Sequence, residues 1–354
     1  MTILLCVLVL LISIFLIITY AIFSGQDLTR FDKPVGESFG LDHEPCDEHD
    51  LVVASIHANN KAIEGLSPKQ RLVVMREYLD SMSDGMSFSS TFIQTSANGI
   101  PAQWVVAPGA DCNRRLLYIH GGAFTMGSPK GHRNITNNFS EITKAAVLAV
   151  DYRLMPEHSR KRGIEDCRQA YLWMLNNGPD GESKPEKVFV AGDSAGGNLT
   201  LQLIAWLRDN DLPQVDAAVA LSPTTDATYS FLSVVNNEDS DPMLGAIFNR
   251  LNKLPHSMVL WLSFLGQRIN PSSPLVSPVF DDLSNLPPTL VHVSLSEVLF
   301  DDARRYVNKA IEAGSPVKLQ SWNHMVHVWH MFYPKLDGAV EAWDEIEKFI
   351  RDIG

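Results

Sequence analysis

Gly192-Asp193-Ser194-Ala195-Gly196-Gly197 places a hydroxyl nucleophile in a glycine-rich turn. The apolar run Val188-Phe189-Val190-Ala191 precedes it, and Leu199, Leu203 and Leu207 follow at helical spacing. A buried strand, a sharp turn and a helix form the context in which G-x-S-x-G acts as a nucleophile elbow. A serine hydroxyl is a weak nucleophile, so it must be lifted toward its target and relieved of its proton by a base. Small residues at 192 and 196 keep Cβ atoms out of the strand-helix crossing. The helix N-terminus favours developing negative charge, and the Ala195 N–H is the expected donor there. By itself such a match occurs by chance on the order of 0.1 times in a chain of this length. The other chemistry-bearing residues must decide its meaning.

Leu116-Leu117-Tyr118-Ile119 runs into His120-Gly121-Gly122-Ala123. Paired glycines let a backbone aim N–H groups at one point, as an oxyanion hole requires, so Gly121 and Gly122 are expected to donate with Ala195. An activated serine also needs a base, and the base needs an orienting carboxylate, in chain order serine, acid, histidine. Three histidines crowd the C-terminal region, His324, His327 and His330. Upstream of them Ser296-Glu297-Val298-Leu299-Phe300-Asp301-Asp302 offers the acid.

The elements that must position these groups are short apolar runs: 102–107, 116–120, 145–151, 187–191, 217–221, 289–294 and 317–322. The first two are expected to pair across the turn Pro108-Gly109-Ala110-Asp111, and helical segments separate the later ones. Such alternation implies an α/β fold with a mostly parallel central sheet covered by helices on both faces, and ligands bind at the carboxyl ends of its strands. Ser67-Pro68 opens a helix carrying Leu72, Met75 and Leu79. Between Asp226 and Pro278 an insertion rich in Phe248, Leu251, Met258, Trp261, Phe264 and Leu265 interrupts the pattern. With about 51–85 it is expected to form a helical cap and an apolar pocket over the site.

Residues 1–23 are an apolar segment without charge, and its length matches the ~20 residues that cross a bilayer as a helix. It lacks the basic n-region and short core of a cleaved signal peptide, so a retained single-span anchor is the first expectation and secretion after cleavage the second. Residues 24–50 carry eight acids against two bases, half of the chain's net charge of -12, and are expected to be a solvated acidic spacer before a domain at 51–354. That acidity, with no basic cluster, argues against a nucleic-acid partner. Four cysteines without C-x-x-C spacing indicate neither a metal knuckle nor a disulfide framework, and no cofactor or metal is expected. Asn134-Ile135-Thr136 and Asn138-Phe139-Ser140 match the glycosylation sequon. Homo-oligomerisation is left open by the sequence.

His120-Gly121-Gly122-Ala123, Asp151-Tyr152-Arg153-Leu154-Met155-Pro156-Glu157-His158 and Gly192-Asp193-Ser194-Ala195-Gly196-Gly197-Asn198-Leu199 together resemble the hormone-sensitive-lipase-like branch of the α/β-hydrolases, which includes the bacterial family IV esterases and arylacetamide deacetylase. The resemblance runs from about residue 90 to the C-terminus. It implies an α/β-hydrolase fold and a serine carboxylic-ester hydrolase acting on short to medium acyl esters. Its C-terminal pattern places the base at His327, where Trp322-Asn323-His324-Met325-Val326-His327 carries His324 in place of the usual glycine. Its acid position falls on Glu297, with Asp301 as the alternative at the start of the next helix. Ala123 stands where many members have glycine, and the 151–158 stretch is implied to brace the site. The same machinery serves amide deacetylation or lactone opening, and the fold also occurs in non-catalytic small-molecule receptors. Those receptors lack the base, so His327 favours an enzyme.

Overall fold

The computed structural model describes residues 2–41 and 46–354; Met1 of the apolar segment and Asp42 and Glu44 of the acidic stretch lie outside the described residues. The N-terminal part comprises α1 (Thr2–Phe23), β1 (Glu37–Phe39), α2 (Asp47–Ala62) and α3 (Pro68–Ser81). Then come β2 (Thr91–Ala97), β3 (Ile100–Val106), β4 (Asp111–Ile119), α4 (Arg133–Thr143), β5 (Ala145–Val150) and α5 (Arg160–Met174). A small ribbon, β6 (Asn177–Gly178) and β7 (Gly181–Glu182), precedes β8 (Lys187–Asp193), α6 (Ala195–Asp209) and β9 (Ala217–Leu221). The insertion forms α7 (Ser233–Asn236), α8 (Gly245–Asn252) and α9 (His256–Gln267), and the chain ends with β10 (Thr289–Ser294), α10 (Phe300–Glu312), β11 (Val317–Trp322) and α11 (Asp337–Ile353).

Nine strands make one sheet in the order β1-β11-β10-β9-β8-β4-β5-β3-β2. The pairings from β1 to β5 across this order are parallel, while β5-β3 and β3-β2 are antiparallel. This is an α/β-hydrolase fold, as expected. One pairing differs from expectation: β3 and β4 are consecutive but do not pair, because β5 lies between them. Both 102–107 and 116–120 are apolar enough to sit inside a sheet, and composition alone does not distinguish neighbours.

The central strands are buried on both faces, which explains their continuous apolar runs. Leu116 and Tyr118 face one way, toward Phe139 of α4 and Trp343 and Ile346 of α11. Leu117 and Ile119 face the other way, into a core shared with Ile164 of α5, Leu199, Leu203 and Leu207 of α6, and Tyr306 of α10. The period-two alternation of strand side chains thus builds two helix-covered layers. Helix α3 starts as read from Ser67-Pro68, with a capping box: the Gln70 N–H donates to Ser67 Oγ (3.4 Å) and the Ser67 N–H to Gln70 Oε1 (3.1 Å).

The acidic stretch differs from the expected solvated spacer. Leu28 and Phe31 are buried in the main core, Asp32 pairs with Arg305 of α10 through both carboxylate oxygens (2.7 Å each), and Glu37–Phe39 extends the sheet as β1. A few apolar residues among many acids suffice to dock it, a signal diluted by the surrounding charge. The sequon asparagines Asn134 and Asn138 are buried on α4, and Asn134 Nδ2 donates to the carbonyls of Met331 (3.0 Å) and Tyr333 (2.8 Å). Neither is accessible for modification in the folded chain. α1 has 22 residues, and an 18-residue window within it has a mean hydropathy of 3.2, long and apolar enough to cross a membrane.

Candidate active site

Ser194 stands between β8 and α6 with φ 52° and ψ -114°, a conformation unfavourable for a residue with a side chain. Its N–H donates to the Leu221 carbonyl on β9 at 2.7 Å, which anchors the turn. A Cβ on Gly192 would approach the Gly196 carbonyl to 2.5 Å, and one on Gly196 would collide with the Ile119 carbonyl. These close approaches explain why the elbow needs glycine on both sides of its serine.

His327 leaves the loop after β11, and Glu297 the loop after β10. The structure brings both to Ser194: His327 Nε2 lies 2.9 Å from Ser194 Oγ, and His327 Nδ1 lies 2.5 Å from Glu297 Oε2. Glu297 is fully buried, and its other oxygen accepts from Ser222 Oγ (2.7 Å) and the Ser294 N–H (2.8 Å). Burial opposes the imidazolium form of His327, but the Glu297 carboxylate and, more weakly, those of Asp241 and Asp193 outweigh it, so the His327 pKa is raised. Asp301 is not part of this arrangement: it accepts the Ser233 N–H (2.8 Å) and pairs with Arg304 (2.7 Å) in the first turn of α10.

The other two histidines have separate fates. His330 is fully buried against His292, 3.1 Å from its Nδ1, and burial together with the two neighbouring histidines pushes its pKa well down. His324 is partly exposed with φ 59°, in the left-handed region. That backbone explains why glycine is usual at this position.

The oxyanion donors require one correction. The Gly121 N–H donates to Asp193 Oδ1 at 2.9 Å and is not free for a ligand. Asp193 also accepts the Tyr118 hydroxyl and lies 3.6 Å from His132 Nε2. Burial raises its pKa, but His132 and these hydrogen bonds outweigh it, and the net shift is downward. An ionised carboxylate beneath the turn therefore claims the first glycine, whereas among the described residues the N–H groups of Gly122, Ala123 and Ala195 have no acceptor. The loop carries positive φ at Gly122 (108°), Ala123 (53°) and Phe124 (62°).

The 151–158 stretch supports this loop from below. Tyr152 OH donates to the His120 carbonyl (2.9 Å), Arg153 pairs with Asp166 of α5 (2.6 Å), and Glu157 pairs with Arg76 of α3 (2.8 Å). Arg76 Nε also donates to the Thr125 carbonyl at 2.8 Å, tying α3 to the loop after the paired glycines. Asp241 of the insertion was not singled out by the sequence. It accepts the N–H groups of Val298 (3.1 Å) and Leu244 (2.9 Å) and so fastens the insertion to the loop that carries Glu297. The signal available was only Asp-Pro at a loop, common in any chain. Among the described residues no cluster of three or more His, Cys, Asp or Glu side chains is arranged to hold a metal ion.

Ser194 after β8, the glycine loop after β4, Glu297 after β10 and His327 after β11 all stand at carboxyl ends of parallel strands, where ligands bind in such sheets. Residues 116–331 match the alpha/beta hydrolase fold family, and the chain belongs to that family, in its hormone-sensitive-lipase-like branch. It is 35% identical over 250 residues to an acetyl-hydrolase of Streptomyces hygroscopicus, covering 71% of this chain and 79% of that one. It is 36% identical over 259 residues to the carboxylesterase/phospholipase LipF of Mycobacterium tuberculosis, covering 71% of this chain and 66% of that enzyme. A crystal structure of an esterase from the bacterial hormone-sensitive lipase family superposes with a TM-score of 0.75 at 32% identity, over 88% of this chain and all of the other.

Proposed function

We propose that this chain is a membrane-anchored serine carboxylesterase that hydrolyses short to medium acyl esters through Ser194, His327 and Glu297. The observation that carries the reading is the continuous line Ser194 Oγ, His327 imidazole, Glu297 carboxylate, at 2.9 and 2.5 Å. His327 takes the hydroxyl proton as Ser194 Oγ bonds to the acyl carbon. Glu297 fixes the tautomer with Nδ1 protonated and stabilises the imidazolium. The carbonyl oxygen becomes an oxyanion held by the N–H groups of Gly122 and Ala195, with Ala123 adjacent. His327 then protonates the departing alkoxide, leaving an acyl-enzyme and free alcohol. A water, deprotonated by His327, attacks the acyl carbon and releases the acid and Ser194. No cofactor enters any step.

The acyl range rests on the resemblance and on a related esterase, EstE5, 32% identical with a TM-score of 0.74, whose structure followed soaking with p-nitrophenyl butyrate. The cap is assigned to about 51–85 with about 227–275, and the Asn60 Nδ2 to Pro242 carbonyl bond (3.0 Å) supports treating the two parts as one unit. Retention of α1 is favoured over cleavage by its packing on α9, where Trp261 Nε1 donates to Thr19 Oγ1 (3.1 Å).

The test is hydrolysis of p-nitrophenyl esters of increasing acyl length by the full-length chain in detergent, beside Ser194→Ala. The reading expects an optimum at a short to medium chain and a fall of at least about 10³-fold in kcat for Ser194→Ala. No turnover by folded protein, or undiminished turnover in the variant, overturns it.

A further inference from the structure

The apolar helix α1 does not leave the domain as a free stalk. Between Phe15 and Phe23 it lies along α9 of the insertion. The Phe15 ring stacks on Trp261 (centroids 5.9 Å apart), Phe23 meets Trp261 edge-on (5.0 Å) and stacks on Phe264 (5.2 Å), and Tyr20 stacks on His256 (5.9 Å). Asn270 Nδ2 donates to the Ile22 carbonyl at 2.8 Å, and Thr19 is fully buried in the contact.

The length of α1 fixes what this contact means if the helix spans a bilayer. Its 22 residues reach about 33 Å, against a hydrocarbon layer of about 30 Å, so it has almost no length to spare outside that layer. Phe15 lies about 12 Å along the axis from Phe23 at the helical rise. An element packed against Phe15 through Phe23 is therefore carried into the acyl region of the adjoining leaflet.

The composition of α9 fits that depth. From Leu254 to Gln267 there is no Asp, Glu, Lys or Arg, while Lys253 and Arg268 bracket the helix. Met258, Leu262 and Leu265 recur at helical spacing on one stripe and are about half exposed (50%, 47% and 47%), beside the stripe through which Trp261 and Phe264 meet α1. An apolar face with cations at both ends is the pattern of a helix lying in a membrane interface.

On its other side α9 is fastened to the catalytic end of the sheet. Ser263 Oγ donates to the Ala227 carbonyl (2.9 Å), and His256 Nε2 lies 2.9 Å from the Thr228 carbonyl. That segment leaves β9 just after Ser222, the residue that donates to Glu297.

We propose that α9 is a second membrane-contacting element, seated in the leaflet that α1 enters, so that the cap opens toward the acyl layer and the enzyme draws lipophilic esters dissolved in the bilayer. The inference rests on the anchor reading of α1, and the partner is the lipid surface itself.

The test uses the full-length chain in phosphatidylcholine vesicles, in versions with a single cysteine carrying an NBD fluorophore. One keeps Cys6 within α1, one carries Leu262→Cys, and one carries Asn285→Cys on the exposed loop before β10 as an aqueous reference. Doxyl-labelled phosphatidylcholine is the quencher, and Leu265→Cys serves in place of Leu262→Cys should the latter fail to fold. Quenching several-fold stronger at Cys6 and at Leu262→Cys than at Asn285→Cys is the expected result. Strong quenching at Cys6 with Leu262→Cys no different from Asn285→Cys overturns this inference and leaves the anchor in place. Weak quenching at Cys6 overturns the anchor reading and this inference with it.

Discussion

Glu297 gives one carboxylate oxygen to His327 and has the other pinned by Ser222 and the Ser294 N–H. Held on both sides and fully buried, it cannot rotate away from the imidazole, and its charge is what raises the His327 pKa against the effect of burial. The proposed base must be neutral to accept the serine proton. Turnover should therefore be low at acid pH and rise through a His327 pKa lying above the ordinary value of 6.5. Glu297→Gln keeps the shape and removes the charge. It should lower kcat by about 10³- to 10⁴-fold, with little change in KM, and move the acid limb of the remaining kcat/KM profile to lower pH. An acid limb that stays in place would show that Glu297 does not set the imidazole pKa.

Asp193 precedes Ser194 in sequence and acts on the neighbouring loop. Its carboxylate gathers the Gly121 N–H, the Tyr118 hydroxyl and His132 in a site closed to water. Asp193→Ala leaves two of these buried donors without an acceptor, and a loss of about 2–4 kcal/mol in unfolding free energy is expected. Asp193→Asn keeps one acceptor oxygen and should lose less. In Asp193→Ala the loop after β4 loses its tether, so kcat should fall more than KM rises, and Asp193→Asn, which can still accept from Gly121, should show the smaller fall. Denaturant unfolding with steady-state kinetics on the same samples checks both statements.

How much of this was legible in the sequence varies with the range of the interaction. The strand, glycine turn and helix are local, lying within about 20 residues, and their pattern singles out Ser194 as the candidate nucleophile without tertiary information. His327 and Glu297 needed the resemblance, because three histidines and several carboxylates compete nearby and only tertiary structure selects among them. Two features were out of reach. The Gly121 N–H is claimed by a carboxylate 72 positions further on, a choice that depends on where β4 and β8 lie side by side. β1 is three residues long inside an acidic run, and its pairing with β11 spans nearly the whole chain. The left-handed backbone at Ala123 and His324 was visible only indirectly, as two positions where glycine is usual.

Asp302 and Asp226 form a buried pair behind the insertion. Asp302 accepts the Thr225 N–H (2.8 Å) and hydroxyl (2.5 Å), Asp226 accepts from Thr228 and Ser230, and Arg305 is the nearby cation. Burial and then the charge of Asp226 raise the Asp302 pKa to about 7. Between its unfolded value near 3.8 and that folded value, the native state binds more protons than the unfolded one. Stability from this group therefore falls as pH rises through the window. Asp302→Asn should flatten the decline, by as much as about 1.4 kcal/mol per pH unit where it is steepest. Thermal or urea unfolding of both proteins at several pH values from 4 to 8 measures it, and parallel curves would assign the proton elsewhere.

Ala123 holds φ 53° in the loop that follows the paired glycines. A residue with a Cβ is strained there by about 1–2 kcal/mol, whereas glycine enters the region freely. Ala123→Gly relieves that strain but gives the unfolded chain more freedom, a cost of about 0.5–1 kcal/mol. The balance should be a gain of roughly 0.5–1 kcal/mol. Ala123→Val, branched at Cβ, should instead lose more than about 1 kcal/mol, since β-branched residues tolerate positive φ least. Because the N–H groups of Gly122 and Ala123, proposed to hold or adjoin the oxyanion, sit on this loop, the glycine variant also tests whether strain keeps them in position. A more stable Ala123→Gly protein with lower kcat would show that the strain holds the donors in place. An unchanged kcat would show that the Tyr152 and Arg76 contacts to the loop suffice without it.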